Sequence, residues 1–261
     1  LMARENLRWA GHALLQLRED SPEDYSLVVD RTDLRDHEPE HWLEIAEAMY
    51  VPYDVSRGIH LQDDSFLDKQ PWDFENTPAD KYPLLLHYHP LVIYRHQVIK
   101  QADVVMAMFL LGHEFTRSQK RRNFDFYDPL TAGDSSLSAC VQSIMASEIG
   151  YQDEAYRYFR YAVLMDLADI GGNVADGAHI AATGGAWMTL VYGFAGLRDH
   201  GGTISFAPRL PEQWQGIRFR LQVRGRLLEV DLNHERATYR LLAGTPLQIR
   251  HQKRTLQLTT E

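Results

Sequence analysis

The chain has 261 residues, 44% of them hydrophobic and 24% charged, an ordinary globular profile with room for one large domain or one domain plus a smaller module. Its formal net charge of −9 argues against a nucleic-acid scaffold, whose affinity rests on an excess of Lys and Arg. Cys140 is the single cysteine, which excludes an intramolecular disulfide and a cysteine zinc site. No apolar run approaches the ~20 residues of a membrane span, and the start lacks signal-peptide character. The cytoplasm is therefore the expected location.

Helical periodicity opens the chain. From Arg4 to Leu17, Leu7, Ala10, Leu14 and Leu17 recur at spacings of three and four. No capping residue precedes Leu1, so the chain reads as a piece of a longer one. A second helix is expected from Pro39 to Met49, with Trp42, Ile45 and Met49 on one face. Val51 to Pro90 is irregular and rich in Pro, Asp and aromatic residues. A loop of that length inside a compact domain points to function, here to a segment crossing the mouth of a site. His87 and His89 form a His-x-His pair, but no third ligand at metal spacing accompanies them, and no metal is expected.

The clearest helical pattern runs from about Tyr94 to Leu111, with Val98, Ala102, Val105, Met106 and Phe109 as its stripe. Lys100 and Gln101 fall off that stripe. They read either as a solvated face or as an ammonium and an amide that bind the hydroxyls of one sugar ring. Further helices are expected over Ser118–Phe126, Leu137–Ile149, Gln152–Leu167 and Ala178–Leu197. The basic run Lys120, Arg121, Arg122 is expected on a solvated helix face.

Two breaks between these helices carry polar chemistry. In Asp128 to Ser138, Pro129 and Gly133 interrupt the chain, and Asp134-Ser135-Ser136 leads into an apolar helix. Ser135 and Ser136 read as an ordinary helix cap or, with the free amides of the helix start, as an anion pocket. In Gly171 to Ile180, glycines permit tight turns before His179, which opens the next helix. That histidine reads as a donor to an anion or sugar hydroxyl, or as a partly buried ring satisfied by a carbonyl.

From Gly201 onward the period becomes two. Ile217, Phe219, Leu221 and Val223 alternate with polar residues, as do Leu228, Val230 and Leu232 after a turn at Gly225, and Leu247 and Ile249. Such alternation predicts antiparallel sheet with one buried face. A β module of this size is marginal alone and is expected to pack on the helices. The division is thus a helical body over 1–200 and a β-sheet domain over 201–261. Antiparallel helix pairs with loops at one end suggest an α/α barrel, although bundles give the same signals. No phosphate loop, His-Glu-x-x-His helix or Gly-x-Ser-x-Gly elbow is present.

Six ordered runs make the sequence resemble glycoside hydrolase family 65, the family of maltose, trehalose and kojibiose phosphorylases. They are Lys100 to Asp103, Arg122 to Phe124, Thr131 to Ser138, Asp176 to Ala181, Trp187 to Gly196 and Ser205 to Pro211. The resemblance implies a mainly α chain, part of an (α/α)6 barrel followed by a small C-terminal antiparallel β-sheet domain. It implies sugar binding by Lys100 and Gln101 and phosphate binding by Ser135, Ser136 and His179. The general acid of the family lies in a Gly-Pro-Asp-Glu-Tyr-like motif that is expected just upstream of Leu1. No catalytic residue is therefore assigned within the chain, and the piece alone is expected to be inactive.

The implied reaction is phosphorolysis of an α-glucosyl disaccharide to β-glucose 1-phosphate, with inorganic phosphate as co-substrate and no further cofactor. The implied partners are disaccharide, phosphate, the remainder of the parent chain and a second copy, with no nucleic acid and no membrane. One position departs from the pattern: the family commonly has a His two residues before the Ser–Ser pair, where Gly133 stands here. A hydrolytic relative would need a carboxylate base nearby, for which Asp134 and Asp176 are candidates. A non-catalytic carbohydrate-binding helical domain is the other alternative.

Overall fold

The computed structural model describes residues 1–133 and 135–260. Residues 1–53 form one compact unit and residues 54–261 another. In the first, α1 (Met2–Asp20), α2 (Pro22–Thr32) and α3 (Glu38–Ala48) follow one another. Gly11 lets α1 approach α3: a Cβ there would lie 2.8 Å from Leu43 Cδ2 and 2.9 Å from the Pro39 carbonyl oxygen. The pairs Arg8–Glu47 at 2.8 Å and Arg18–Glu40 at 2.7 Å join the same two helices. Helix α2 fully buries no residue, and its apolar stripe is short: Tyr25, Val28 and Val29, half-buried on one face. Its start is nonetheless marked, by Ser21 ahead of Pro22 in the first turn with Glu23 and Asp24 behind.

The boundary falls within β1 (Tyr53–Asp54), and the second unit continues in short pieces: β2 (Ile59–His60), β3 (Gln70–Pro71), α4 (Leu84–His87), α5 (Pro90–Ile93) and β4 (His96–Gln97). This irregular stretch has a core of its own, in which Trp72, Phe74, Tyr82 and Tyr88 pack on buried Leu84, Ile93 and Val98. The helix expected from Tyr94 starts only at Asp103, as α6 (Asp103–Leu110). Ahead of it the backbone is held extended: β4 pairs in parallel with β3, Ile99 N–H donates to Leu130 O at 2.9 Å, and Ala132 N–H donates to Ile99 O at 2.9 Å. The apolar residues at 98 to 102 are buried in this strand-like path, so their helical spacing is coincidental.

Helix α7 (Arg117–Tyr127) opens with a capping box, Thr116 Oγ1 accepting from Gln119 N–H at 3.2 Å and Gln119 Oε1 accepting from Thr116 N–H at 2.9 Å. Thr116→Ala is expected to cost ~1 kcal/mol of stability in denaturant titration, and an unchanged midpoint would contradict this role for the cap. Helix α8 (Ser138–Ile149) is the hub, with every residue buried except Glu148. It packs against α6, α7, α9 (Gln152–Leu167) and α10 (Ile180–Met188), the last continuing as a π-helical turn over Thr189–Phe194. Gly185 on α10 makes that approach possible, since a Cβ would sit 2.6 Å from Cys140 Sγ.

The basic run is divided: Arg121 and Arg122 are exposed, as expected, but Lys120 is buried. Lys120 is buried and ion-paired with Glu148, Arg121 donates to Ile149 O at 3.0 Å, and Arg122 donates to Gly58 O at 3.2 Å. The expectation of an exposed face fails at Lys120 alone, whose long cationic arm reaches inward to the carboxylate of Glu148.

The C-terminal strands are β5 (Ile204–Phe206), β6 (Gly216–Val223), β7 (Arg226–Asn233), β8 (Ala237–Ala243), β9 (Leu247–His251) and β10 (Arg254–Leu258). One sheet, β6-β7-β8, is antiparallel, with Phe219 opposite Val230 and Leu221 opposite Leu228. The other, β10-β9-β5, is mixed: β9 pairs with β10 antiparallel but with β5 in parallel. The alternation in sequence identifies the strands and their buried face, but it carries no information about the direction of β5, which arrives from the helical body. Leu228, Val230, Leu232, Ile249 and Phe206 share one apolar cluster with Val191, Ala195 and Leu197, so the strands pack on the end of the π-helical turn. At that junction Gly196 has φ 65°, and a Cβ would lie 2.2 Å from Ala207 O. Only glycine fits both demands. No helix among the described residues is long and apolar enough to cross a membrane.

Candidate functional site

A cavity of about 1160 Å³ opens in the second unit, lined by Lys100, Ser135, Ser136 and His179 among others. Tyr82 and Pro83, from the long irregular stretch, also line it. The extended path of residues 96–99, bridged to 130–132, places Lys100 and Gln101 beside the loop that leads into α8. Gln101 does not line the cavity but touches it through a neighbour, donating from Nε2 to Ser135 Oγ at 2.9 Å. Leu137 N–H donates to the same Oγ at 3.3 Å. With both lone pairs occupied, the Ser135 hydroxyl has only its proton left to offer.

The residue before α8 is Leu137, and among the described residues no side chain caps the helix. Ser135 instead caps the turn just ahead of the helix, its Oγ accepting from Leu137 N–H and its carbonyl from Ser138 N–H, so the cap reading holds in part for Ser135. Ser138, in the first turn, is buried and lines the cavity, and its hydroxyl has no partner among the described residues. Its proximity to the cavity was not legible in the sequence, where it counts as one more small residue on a helix.

His179 is held by one carboxylate at two points: its backbone N–H donates to Asp166 Oδ2 at 2.9 Å, and ring Nδ1 lies 2.6 Å from Asp166 Oδ1. Both contacts hold the Asp166 carboxyl below its ordinary value. Ring Nε2 lies 3.2 Å from Asn173 Nδ2. Neither Asp166 nor Asn173 is predictable from the spacing of the Gly-rich turn.

Charge in the cavity differs from charge on the chain. Lys100, Arg157 and Arg160 line it, against Asp128 and Asp153, whereas the whole chain carries −9. Asp128 is not free: Tyr158 Oη donates to its carboxylate at 2.8 and 2.9 Å, and Gln142 Nε2 donates at 2.8 Å. Burial pushes the Asp128 carboxyl up, with the Tyr158 and Gln142 hydrogen bonds opposing, and pushes the Tyr158 phenol up to about 12. Asp176 sits exposed on the turn Val174–Asp176 and does not line the cavity, and Asp134 lies outside the described residues. Gly133 has φ 72°, and among the described residues, its chain neighbours aside, no atom lies within 4 Å of the position its Cβ would take. Among the described residues no three metal-ligating side chains gather.

The decisive comparison is with family models: residues 1–188 match the glycosyl hydrolase family 65 central catalytic domain, and residues 197–258 match the family 65 C-terminal domain. The chain belongs to glycosyl hydrolase family 65. An α,α-trehalose phosphorylase from Geobacillus stearothermophilus is 46% identical over 261 residues, which is 100% of this chain and 34% of that protein. A maltose phosphorylase from Bacillus subtilis is 36% identical over 83% of this chain and 29% of its own length. Among solved structures, a putative kojibiose phosphorylase from the human microbiome superposes with a TM-score of 0.85 at 27% identity, covering 97% of this chain and 34% of that one. The family 65 chain thus spans about a third of the length of these relatives.

Proposed function

We propose that the chain is part of an inverting disaccharide phosphorylase, which cleaves an α-glucosyl disaccharide with phosphate to β-glucose 1-phosphate and a sugar. The observation that carries this reading is the cavity, where two serine hydroxyls at a helix start and His179 stand among Lys100, Arg157 and Arg160. Inversion needs an acid on the leaving oxygen and a nucleophile on the opposite face of the ring. Where phosphate is that nucleophile, the protein supplies donors for an anion in place of a carboxylate base. Ser135 and Ser136 donate hydroxyl protons, amides of the helix start add theirs, and His179 closes the pocket. Lys100 and Gln101 hold the sugar alongside, and the Gln101–Ser135 contact ties the two halves of the site together.

In this reading the helices form part of an (α/α)6 barrel, the proton donor belongs to the remainder of the full-length protein, and the enzyme works in the cytoplasm. Two copies pair, which light scattering on the full-length protein checks. Hydrolysis is the second reading, favoured by Gly133 in the place of the family's histidine. Of its two candidate bases, Asp176 stands outside the cavity and Asp134 lies outside the described residues; of the carboxylates that line the cavity, Asp128 is committed to Tyr158 and Gln142, and Asp153 is the other.

The two readings separate in one assay. The full-length protein is incubated with trehalose, maltose, kojibiose or nigerose, with and without phosphate. Phosphorolysis is expected to yield β-glucose 1-phosphate from one of them only when phosphate is present. Free glucose released equally without phosphate would establish hydrolysis, and binding without turnover of any of the four would favour a non-catalytic domain.

A further inference from the structure

We propose that Asp166 is a positioning residue for phosphate: it fixes His179 as the Nδ1–H tautomer and so presents Nε2 to the bound anion. The inference rests on the phosphate reading of the cavity. Asp166 lies in the last turn of α9, and His179 immediately precedes α10. The turn between them is exposed, with positive φ at Gly172 and Gly177, and no heavy atom stands within 4 Å of where a Cβ on either would be. Such a backbone does not by itself fix the direction of a side chain at its end. The carboxylate does, by taking two donors from one residue, the His179 amide at 2.9 Å and ring Nδ1 at 2.6 Å.

Proton inventory then assigns the ring. An ionised carboxylate only accepts, so the proton between it and the ring sits on Nδ1. Nε2 is left with a lone pair on its other side, toward Asn173 at 3.2 Å. Asn173 and His179 line the cavity and Asp166 does not, so the ring points Nδ1 away from the cavity and Nε2 toward it. Asn173 Nδ2 donates to that lone pair. A phosphate monoanion carries its own P–OH and replaces Asn173 as donor to Nε2, so binding adds or removes no proton. Without Asp166 the ring populates the Nε2–H tautomer as well, and it turns on a glycine-rich tether.

The test uses the full-length protein with Asp166→Asn, His179→Ala and the double substitution. Asp166→Asn is expected to raise KM for phosphate about tenfold, the loss of one charge-assisted hydrogen bond, while KM for the disaccharide stays within twofold. In the His179→Ala background the same substitution should add nothing, because Asp166 acts through the ring. Ring 15N shifts of His179 should show Nδ1–H in the parent protein and a tautomer mixture in Asp166→Asn. An Nε2–H tautomer in the parent protein would overturn the inference, whether or not the variant folds. So would an unchanged phosphate KM in Asp166→Asn, or an equal effect with and without His179. If His179→Ala itself leaves phosphate KM unchanged, the phosphate reading falls and this inference with it.

Discussion

Glu148→Ala is expected to destabilise the protein by ~3–5 kcal/mol, the loss typical when one partner of a buried ion pair is removed. Glu148 is the one residue of α8 that carries charge into the packed body. Its carboxylate meets Lys120 on one side and Arg198 on the other, the Arg198 contact at 2.5 Å. Lys120 is 4% exposed, and nothing else within reach neutralises it in the described contacts. Arg198 also donates to Tyr192 O at 2.7 Å, so the network joins α7, α8 and the chain that enters β5. Alanine leaves two cations facing each other across a void. A cost below ~1 kcal/mol would mean that the pair is solvated like a surface bridge.

The pH dependence has a definite sign. Burial pushes the Glu148 carboxyl up, but the charges of Arg198 and Lys120 outweigh it and hold the group below its ordinary value of 4.5. A folded value below the unfolded one means stability that is complete above 4.5 and is lost as pH falls through the folded value. Burial pushes the imidazoles of His60, His200 and His251 down from 6.5, so they impose an earlier loss, beginning as pH falls below 6.5. Stability measured against pH should therefore fall in two stages, and Glu148→Ala should shrink the lower one, which Asp166 and Glu229 share, and leave the upper one in place.

Ser135→Ala combined with Ser136→Ala is the second large effect. Kcat/KM for phosphate in the full-length protein should fall ~10²–10⁴-fold, the loss of two hydrogen bonds to a charged ligand. The argument is strongest at Ser135. Its oxygen already accepts from Gln101 and Leu137, so its proton has no competing acceptor in those contacts and meets the cavity ligand. KM for the disaccharide should move far less, because the sugar subsite keeps Lys100. A phosphate KM unchanged in the double variant would remove the serines from the phosphate site.

How much of this was legible in the sequence depends on what each residue packs against. Gln152–Leu167 is read to the residue, and Ser138–Ile149 to within one, because long apolar patterns bounded by Gly150 and polar turns leave little choice. Tyr94–Leu111 is misread because a buried extended segment and a buried helix segment look alike in composition, and the pairing that decides between them is with residues 70–71 and 130–132. Helix α2 goes unread because its stripe, Tyr25, Val28 and Val29, spans little more than one turn and none of the three is fully buried. In the site, local chemistry leaves Lys100, Ser135, Ser136 and His179 open between a structural and a binding role, the family resemblance singles them out, and the structure brings all four to one cavity. Asp166, Asn173, Asp128 and Tyr158 do not stand out, because their roles come from contacts made across turns and between helices. Lys120 misleads for the same reason: a run of three cations reads as surface until the carboxylate of Glu148 is placed beside it.

The most direct measurement is the structure of the full-length protein with inorganic phosphate at saturating concentration. The account predicts a single phosphate in this cavity, within hydrogen-bond reach of the Ser135 and Ser136 hydroxyls and of His179 Nε2. A cavity that stays empty of anion under conditions of full phosphate-dependent turnover, or phosphate bound elsewhere against the sugar, would contradict it.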